Sequence, residues 1–172
     1  LRVLTGWFPH ITYIAEDLGL LTPEVHQLRE AAGLPGMKVL EFAFDPNSLS
    51  DYLPHRIGEN SICYAGTHDN NTLRGWIDEE SAETLAFARE YLGIGESDDL
   101  AAAVLRAGMR SKAELFVFQM QDVLGLGAEA RINTPGTVGG NWCWRMKPGL
   151  LTPQLEKSLR RMAYIYGRSD KK

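Results

Sequence analysis

Short runs rich in β-branched and aromatic residues alternate along this chain with longer stretches of helical periodicity. Four runs have the character of strands, at residues 11–15, 37–44, 61–67 and 115–120, although the last could equally extend the helix before it. Capping residues and apolar spacing predict helices over 22–33, 81–92, 98–110 and 152–166. This order is typical of βα units around a mainly parallel sheet, so we predict an α/β fold.

Composition limits the partners that such a fold could have. The 172 residues carry 18 Lys and Arg against 22 Asp and Glu, a net charge of −4, so nucleic acid or an anionic membrane would meet no general attraction. No run approaches the roughly 18 apolar residues of a membrane span, and no signal peptide is evident. Cys63 and Cys143 lack the spacing of a disulfide scaffold or a zinc site, which favours a cytoplasmic protein.

Each strand run is followed by a carboxylate. The acids concerned are Glu16, Asp17, Asp45, Asp69 and Asp122. Because ligands bind at the carboxyl ends of parallel strands, we expect these acids to gather at one rim. Such a rim suits glycosyl chemistry, in which one acid protonates the leaving oxygen and others stabilise an oxocarbenium-like centre. The alternative stays open for each acid, since carboxylates often cap the next helix, which fits Asp122 best; Asp17 could be only a cap or an ion-pair partner.

Polar side chains follow the third run directly, where His68, Asp69 and Asn70 stand in sequence. Together they offer donors and acceptors suited to neighbouring sugar hydroxyls. An equally weighted alternative is a simple turn beside a satisfied buried histidine. No HxH, HExxH or acid-dense loop indicates a metal site.

Residues 125–149 form a long stretch without periodicity, which is typical of a ligand-facing loop. Within it, Trp142 and Trp144 lie close in sequence to Arg131 and Asn133. Aromatic faces beside amide and guanidinium groups are a common means of holding sugars. The alternative is that the tryptophans only pack in the core.

Several ordered segments carry a family resemblance. They are IAEDLG at 14–19 with TPE at 22–24, GLPGMKVL at 33–40, GTHDN at 66–70, QDVLGLG at 121–127, and RINTPG at 131–136 with GNW at 140–142. Together they resemble the amylomaltases, which are 4-alpha-glucanotransferases also called disproportionating enzymes. The resemblance implies a (β/α)8 barrel that transfers alpha-1,4-glucan segments between maltooligosaccharides with retention and without a cofactor.

The resemblance also implies roles for individual residues. Glu16 matches the family's general acid/base, Asp69 its transition-state-stabilising aspartate and His68 its substrate-gripping histidine, while Asp45 resembles an acid near the acceptor side. The family's nucleophile is an aspartate in an Arg-x-Asp motif upstream of every matched segment. The one such motif in this chain, at residues 168–170, lies beyond the last helix.

A barrel of this kind typically needs about 250 residues. We therefore expect residues 1–172 to be a single domain, the C-terminal half of the barrel, with strands five to eight, a C-terminal helix and a flexible tail at about 167–172. We expect the chain alone to lack activity, because it lacks the nucleophile, and to self-associate through its open edges. An alternative from another class is a non-catalytic maltooligosaccharide-binding or scaffold module that uses Arg131, Asn133, Trp142 and Trp144.

Overall fold

A three-stranded parallel sheet organises the chain in the computed structural model, which describes residues 1–170. The strands are β1 (Gly36–Val39), β2 (Ser61–Tyr64) and β3 (Leu115–Val117), in the order β1-β2-β3. Both pairs are parallel, with Lys38 opposite Cys63 and Cys63 opposite Phe116. The predicted α/β class with a parallel sheet is confirmed.

Helices connect and cover these strands. They are α1 (Arg2–Trp7), α2 (Pro23–Ala31), α3 (Leu73–Glu79), α4 (Ala82–Leu92), α5 (Leu100–Arg110), α6 (Met120–Val123) and α7 (Pro153–Ile165). Short 3-10 turns occupy Leu40–Phe42, Pro54–Arg56 and Ala128–Ala130.

Local capping defines the helices that the sequence predicted best. The Ser81 side chain accepts the N–H of Thr84 at the start of α4, and the Asp99 side chain accepts the N–H of Ala102 at the start of α5. Gly93, with φ +68°, ends α4 in the left-handed conformation that favours glycine. The predicted helices at 81–92, 98–110 and 152–166 are confirmed. The helix predicted at 22–33 forms as α2, but its apolar residues stay unburied.

The main core lies between one face of the sheet and α4 and α5. Val104 and Leu100 of α5 join Cys63 of β2 in one buried cluster, and Phe116 of β3 packs against it. Gly108 allows α5 to approach β3 closely, because a Cβ there would overlap the Phe116 ring. This packing fixes the sheet so that the carboxyl ends of its strands project toward a common side.

The strand predicted at 11–15 is wrong. Ala15 donates its N–H to the carbonyl of Pro35 (2.9 Å), but no ladder follows among the described residues. Ile11 and Ile14 are 55% and 44% exposed, because this segment has no second neighbour to pair with or pack against. An isolated hydrogen bond cannot offset the entropy of ordering a strand.

The other three strands are shorter than predicted. The run at 37–44 ends as strand at Val39 and continues as the 3-10 turn, the run at 61–67 ends at Tyr64, and the run at 115–120 ends at Val117 before α6. Apolar residues beyond these points, such as Phe44, are buried without being in a strand. Helices α1, α3 and α6 were not predicted from the sequence, although Thr72 caps α3 by accepting the N–H of Gly75.

The segment expected to form a flexible tail contains an anchored arginine. The Arg168 guanidinium donates to the carbonyls of Met109 (3.1 Å), Ser111 (2.8 Å), Ala113 (2.6 Å) and Glu114 (3.3 Å), between α5 and β3. This side chain therefore ties the end of α7 to the sheet. Residues 171–172 of the predicted tail lie outside the described residues.

Candidate active site

Two adjoining cavities of about 420 and 680 Å³ open at the carboxyl ends of the strands. Glu16, Leu18, Thr67 and Asp69 line both, so the two form one continuous cleft. The structure thus brings together two of the acids that the sequence singled out, although 53 positions separate them in the chain.

A neighbouring anchor determines where Glu16 points. Asp17 is buried; its Oδ1 accepts the N–H of Met37 (2.6 Å) and its Oδ2 forms an ion pair with Nε of Arg29 (3.1 Å). Gly36 makes room for this carboxylate, since a Cβ there would overlap it. Because consecutive residues of an extended chain point in opposite directions, burial of Asp17 directs the exposed Glu16 into the cleft.

Side chains from two distant segments hold Asp69. Its Oδ1 accepts a hydrogen bond from Nδ2 of Asn133 (2.6 Å) and lies 3.3 Å from Nε2 of His68. The Arg131 guanidinium donates to the main-chain carbonyl of Asp69 (2.7 Å). Asp69 is therefore fixed at both its side chain and its backbone while remaining exposed to the cleft.

Trp142 packs beside this group. Its ring centroid is 5.1 Å from that of His68, and its main-chain N–H donates to the carbonyl of Ile132 (2.7 Å). Trp142 has φ +62°, which is unusual for a bulky residue. The strained backbone places a half-exposed indole next to the imidazole, as expected of a platform for an apolar sugar face.

Hydrogen bonds within a polar turn stabilise the backbone around Asp69. Oδ1 of Asn70 accepts both the N–H (2.9 Å) and the hydroxyl (2.7 Å) of Thr67, and the Thr67 hydroxyl accepts the N–H of Asp69 (3.2 Å). We call residues 66–70 the Asp69 loop. Its own side chains close it into a compact turn.

Two buried acids lie at the cleft or near it: Glu41 lines the larger cavity, and Asp122 lines neither. Burial, and then the charge of Asp122, raises the pKa of Glu41 to about 8. Burial raises the pKa of Asp122 to about 6, although the N–H of Leu73, which donates to its Oδ1 (2.7 Å), acts in the opposite direction. Asp122 thus accepts the N–H of the first residue of α3. Glu41 was not predicted from the sequence as a residue of the site. The signal was present, since Glu41 is an acid within the apolar run 37–44.

Asp45 is not brought into the cleft. It is exposed and lines neither cavity. Its Oδ1 accepts the N–H of Asn47 (2.8 Å) and its Oδ2 the hydroxyl of Ser48 (2.7 Å). These bonds lower its pKa, with that from Asn47 the larger cause, and they give Asp45 the role of a turn-stabilising residue.

Two tryptophans lie near the cleft in different surroundings. Trp76 belongs to the core cluster, with its ring 6.0 Å from that of Phe44, and it also lines the larger cavity. Trp142 lines neither cavity and packs against His68, which lines the smaller one. The cleft wall combines apolar residues, among them Ile14, Val117 and Phe118, with carboxylate, amide, imidazole and guanidinium groups that suit a polyhydroxylated ligand.

Residues 1–170 contain no group of three or more His, Cys, Asp or Glu arranged to hold a metal ion. Within the same part of the chain, no helix combines the length and apolar character needed to cross a membrane.

Comparison with known proteins places this cleft in a family context. The sequence profile described as 4-alpha-glucanotransferase matches residues 2–152. The chain is 45% identical over 163 residues to 4-alpha-glucanotransferase of Thermus thermophilus, covering 91% of this chain and 33% of that protein. It is 44% identical over 161 residues to the chloroplastic/amyloplastic 4-alpha-glucanotransferase DPE1 of Arabidopsis thaliana, covering 92% and 28% respectively.

A solved structure agrees with these sequence matches. Amylomaltase from Streptococcus agalactiae in complex with acarbose superposes with a TM-score of 0.91 at 35% identity, covering 98% of this chain and 34% of that one. The chain therefore spans about one third of the length of the relatives it matches.

Proposed function

The chain belongs to the 4-alpha-glucanotransferase family, and from this premise we propose that it supplies part of the catalytic site for transfer of alpha-1,4-glucan segments between maltooligosaccharides. The observation that carries the proposal is the cleft itself, in which Glu16 and Asp69 line the same space beside His68 and Trp142. Sugar rings present hydroxyl edges and apolar faces, and this cleft offers partners for both.

Glu16 is the proton carrier in this proposal. It protonates the glycosidic oxygen of the donor glucan as the bond to C1 breaks, and it later removes the proton from the acceptor hydroxyl as the new bond forms. Asp69 stabilises positive charge on the distorted sugar, and His68 binds its hydroxyls. The hydrogen bond from Asn133 and the contact with His68 keep Asp69 oriented toward that sugar.

Retention requires a nucleophilic carboxylate about 5–5.5 Å from the acid/base. We propose that this group comes from residues outside the chain described here, and that residues 1–172 correspond to strands five to eight of a (β/α)8 barrel. The parallel sheet and the S. agalactiae amylomaltase match support this proposal.

The face of the sheet opposite the helices supports the same assignment. Strand register and alternation place Met37, Tyr64 and Val117 on the face opposite the helix-covered core, where they line the smaller cavity. Val117 and Leu115 of β3 are exposed. In a barrel this face is the interior, so a chain produced without the rest of the barrel should self-associate, and size-exclusion chromatography would show it.

The test of the proposed activity is Glu16→Gln in the natural polypeptide that carries these residues. Removal of general acid/base catalysis should lower maltotriose disproportionation about 10²–10⁴-fold. Glu90→Gln, which makes the same change at an exposed position of α4, is the matched control and should retain wild-type activity. Transfer near the wild-type rate in Glu16→Gln would refute the assignment.

A non-catalytic binding module remains the competing proposal, favoured by the exposed indole of Trp142 beside His68. Titration of maltooligosaccharides while tryptophan fluorescence is followed separates the two. Saturable binding by the natural polypeptide without turnover would favour the module, whereas turnover excludes it. A cytoplasmic location stays a prediction, since the A. thaliana relative is named chloroplastic/amyloplastic.

A further inference from the structure

Glu41 lies directly under the Asp69 loop, in the 3-10 turn that follows β1. Its side chain is buried, and its main-chain N–H donates to the carbonyl of Ala65 (3.2 Å), which precedes the loop. Gly66 provides the space for the carboxyl group, since a Cβ at Gly66 would lie 2.5 Å from Oε1 of Glu41. The absence of a side chain at the first loop residue thus allows the acid to lie against the loop.

A chain of hydrogen bonds leads from this carboxyl group to Asp69. The Asn70 side chain and the Glu41 carboxyl meet at Gly66, where a Cβ would lie 2.5 Å from Oε1 of Glu41 and 3.1 Å from Cβ of Asn70, and Asn70 lowers the pKa of Glu41 as a hydrogen-bond partner. Since Oδ1 of Asn70 already accepts from Thr67, its NH2 group is the one available to the carboxyl. Thr67 in turn accepts the N–H of Asp69. Glu41 is therefore the buried end of a network whose exposed end is a residue of the cleft.

We propose that Glu41 is a positioning residue, which holds Asn70 and through it the Asp69 loop in the geometry that glucan transfer requires. This inference rests on the proposed function. Glu41 lines the larger cavity but is only 8% exposed, and its Oε1 is fully buried; in this proposal it acts on the loop and not on the sugar. It acts by fixing the loop that carries Asp69 and His68.

The charged surroundings of Glu41 favour its neutral form. Burial is the largest influence and raises the pKa of Glu41 to about 8. The charges of Asp122 and Glu79 also disfavour ionisation of Glu41, whereas Arg131 favours it. A neutral carboxyl still accepts the Asn70 hydrogen bond through its carbonyl oxygen. Ionisation places a second negative charge near Asp122 beneath the loop, and this repulsion should displace the network above about pH 8.

Substitution of Glu41 by glutamine and by alanine distinguishes a positioning role from a general packing role. Glu41→Gln keeps the shape, the neutral state and an oxygen that accepts from Asn70, whereas Glu41→Ala removes the acceptor and leaves a void. Because misplacement of a site by about 1 Å can cost 10²-fold, we expect Glu41→Ala to lower kcat of disproportionation about 10- to 100-fold with a smaller change in KM. Glu41→Gln should stay within about threefold of wild type at pH 6.

The pH profile provides the discriminating measurement, made in the natural polypeptide. Above about pH 8 the wild-type kcat should fall relative to that of Glu41→Gln as Glu41 ionises, because every other pH dependence of the reaction is common to the two proteins. Equal kcat losses in the glutamine and alanine variants, or identical pH profiles of wild type and Glu41→Gln, would overturn the proposal. Glu90→Gln again controls for the loss of one carboxylate.

Two further measurements keep the proposal testable if Glu41→Ala does not fold or if the wild type shows no transfer. Asn70→Ala breaks the link while leaving Glu41 in place, so it should also lower kcat, and an unchanged kcat would overturn the proposal. Hydrogen–deuterium exchange needs no activity: Asn70→Ala should increase uptake in residues 66–70 relative to wild type, and Glu41→Gln should not. Unchanged uptake in Asn70→Ala would refute the positioning role even where the proposed function itself has failed.

Discussion

Replacement of Glu41 by glutamine should remove a pH dependence of stability that the buried acid imposes. In the folded protein the pKa of Glu41 is raised from 4.5 to about 8, chiefly by burial. The folded state therefore keeps a proton that the unfolded chain loses above pH 4.5. Since the unfolded state binds fewer protons in this interval, the free energy of unfolding falls as pH rises from 4.5 to about 8.

The size of this effect follows from the same pKa. At about 1.4 kcal/mol for each pKa unit, the rise to about 8 corresponds to roughly 5 kcal/mol at full ionisation. A typical domain has an unfolding free energy of about 5–15 kcal/mol, so this amount is a large part of the total. Glutamine cannot ionise, and Glu41→Gln should therefore be more stable than wild type by up to about 5 kcal/mol near pH 9.

Urea unfolding of the natural polypeptide at about pH 5 and about pH 9 measures this difference. Near pH 5 the midpoints of wild type and Glu41→Gln should nearly coincide, and they should diverge as pH rises. Glu90→Gln should follow the wild type at both values, since that acid is exposed. If wild type and Glu41→Gln show the same loss of stability with pH, Glu41 is not held neutral by burial and the reasoning is refuted.

Three further substitutions test other contacts. Gly66→Ala should lower the unfolding free energy by about 1–3 kcal/mol in urea unfolding, because the new Cβ would lie 2.5 Å from the Glu41 carboxyl; an unchanged midpoint would show that the loop has room to shift. Asn133→Ala should reduce disproportionation about 10-fold with an unchanged circular dichroism spectrum, because Asp69 loses a 2.6 Å hydrogen bond, and full activity would contradict this. Arg168→Ala should cost about 1–3 kcal/mol in the same unfolding assay, because four carbonyls lose their donor; no loss would mean that the tail contributes nothing.

Helix limits were predictable where a local side chain determines them. Ser81 and Asp99 cap α4 and α5 through residues three positions away, and this spacing can be seen in the sequence. Strand limits were not predictable in this way. Residues 11–15 have strand composition but lack a second neighbour, whereas apolar residues after Val39 are buried in a turn, and both outcomes depend on contacts that are distant in sequence.

The sequence allowed the residues of the candidate site to be predicted better than the contacts that join them. The order of acids after strand runs indicated Glu16 and Asp69, and the family resemblance indicated their roles. The hydrogen bond between Asp69 and Asn133 joins residues 64 positions apart, which periodicity cannot detect. Glu41 was missed because its significance arises from burial and from the nearby charge of Asp122, both of which are tertiary properties.

The burial of Asp17 has a consequence for how the rim of the cleft can vary. Asp17 is bound to Met37 of β1 and to Arg29 of α2. These contacts hold the two ends of the short connection over residues 18–22, whatever residues the connection itself contains. Insertions or deletions there would change the conformation of this connection only, and the orientation of Glu16 would stay the same. The shape of the cleft entrance can therefore vary through this connection while Glu16 keeps its orientation.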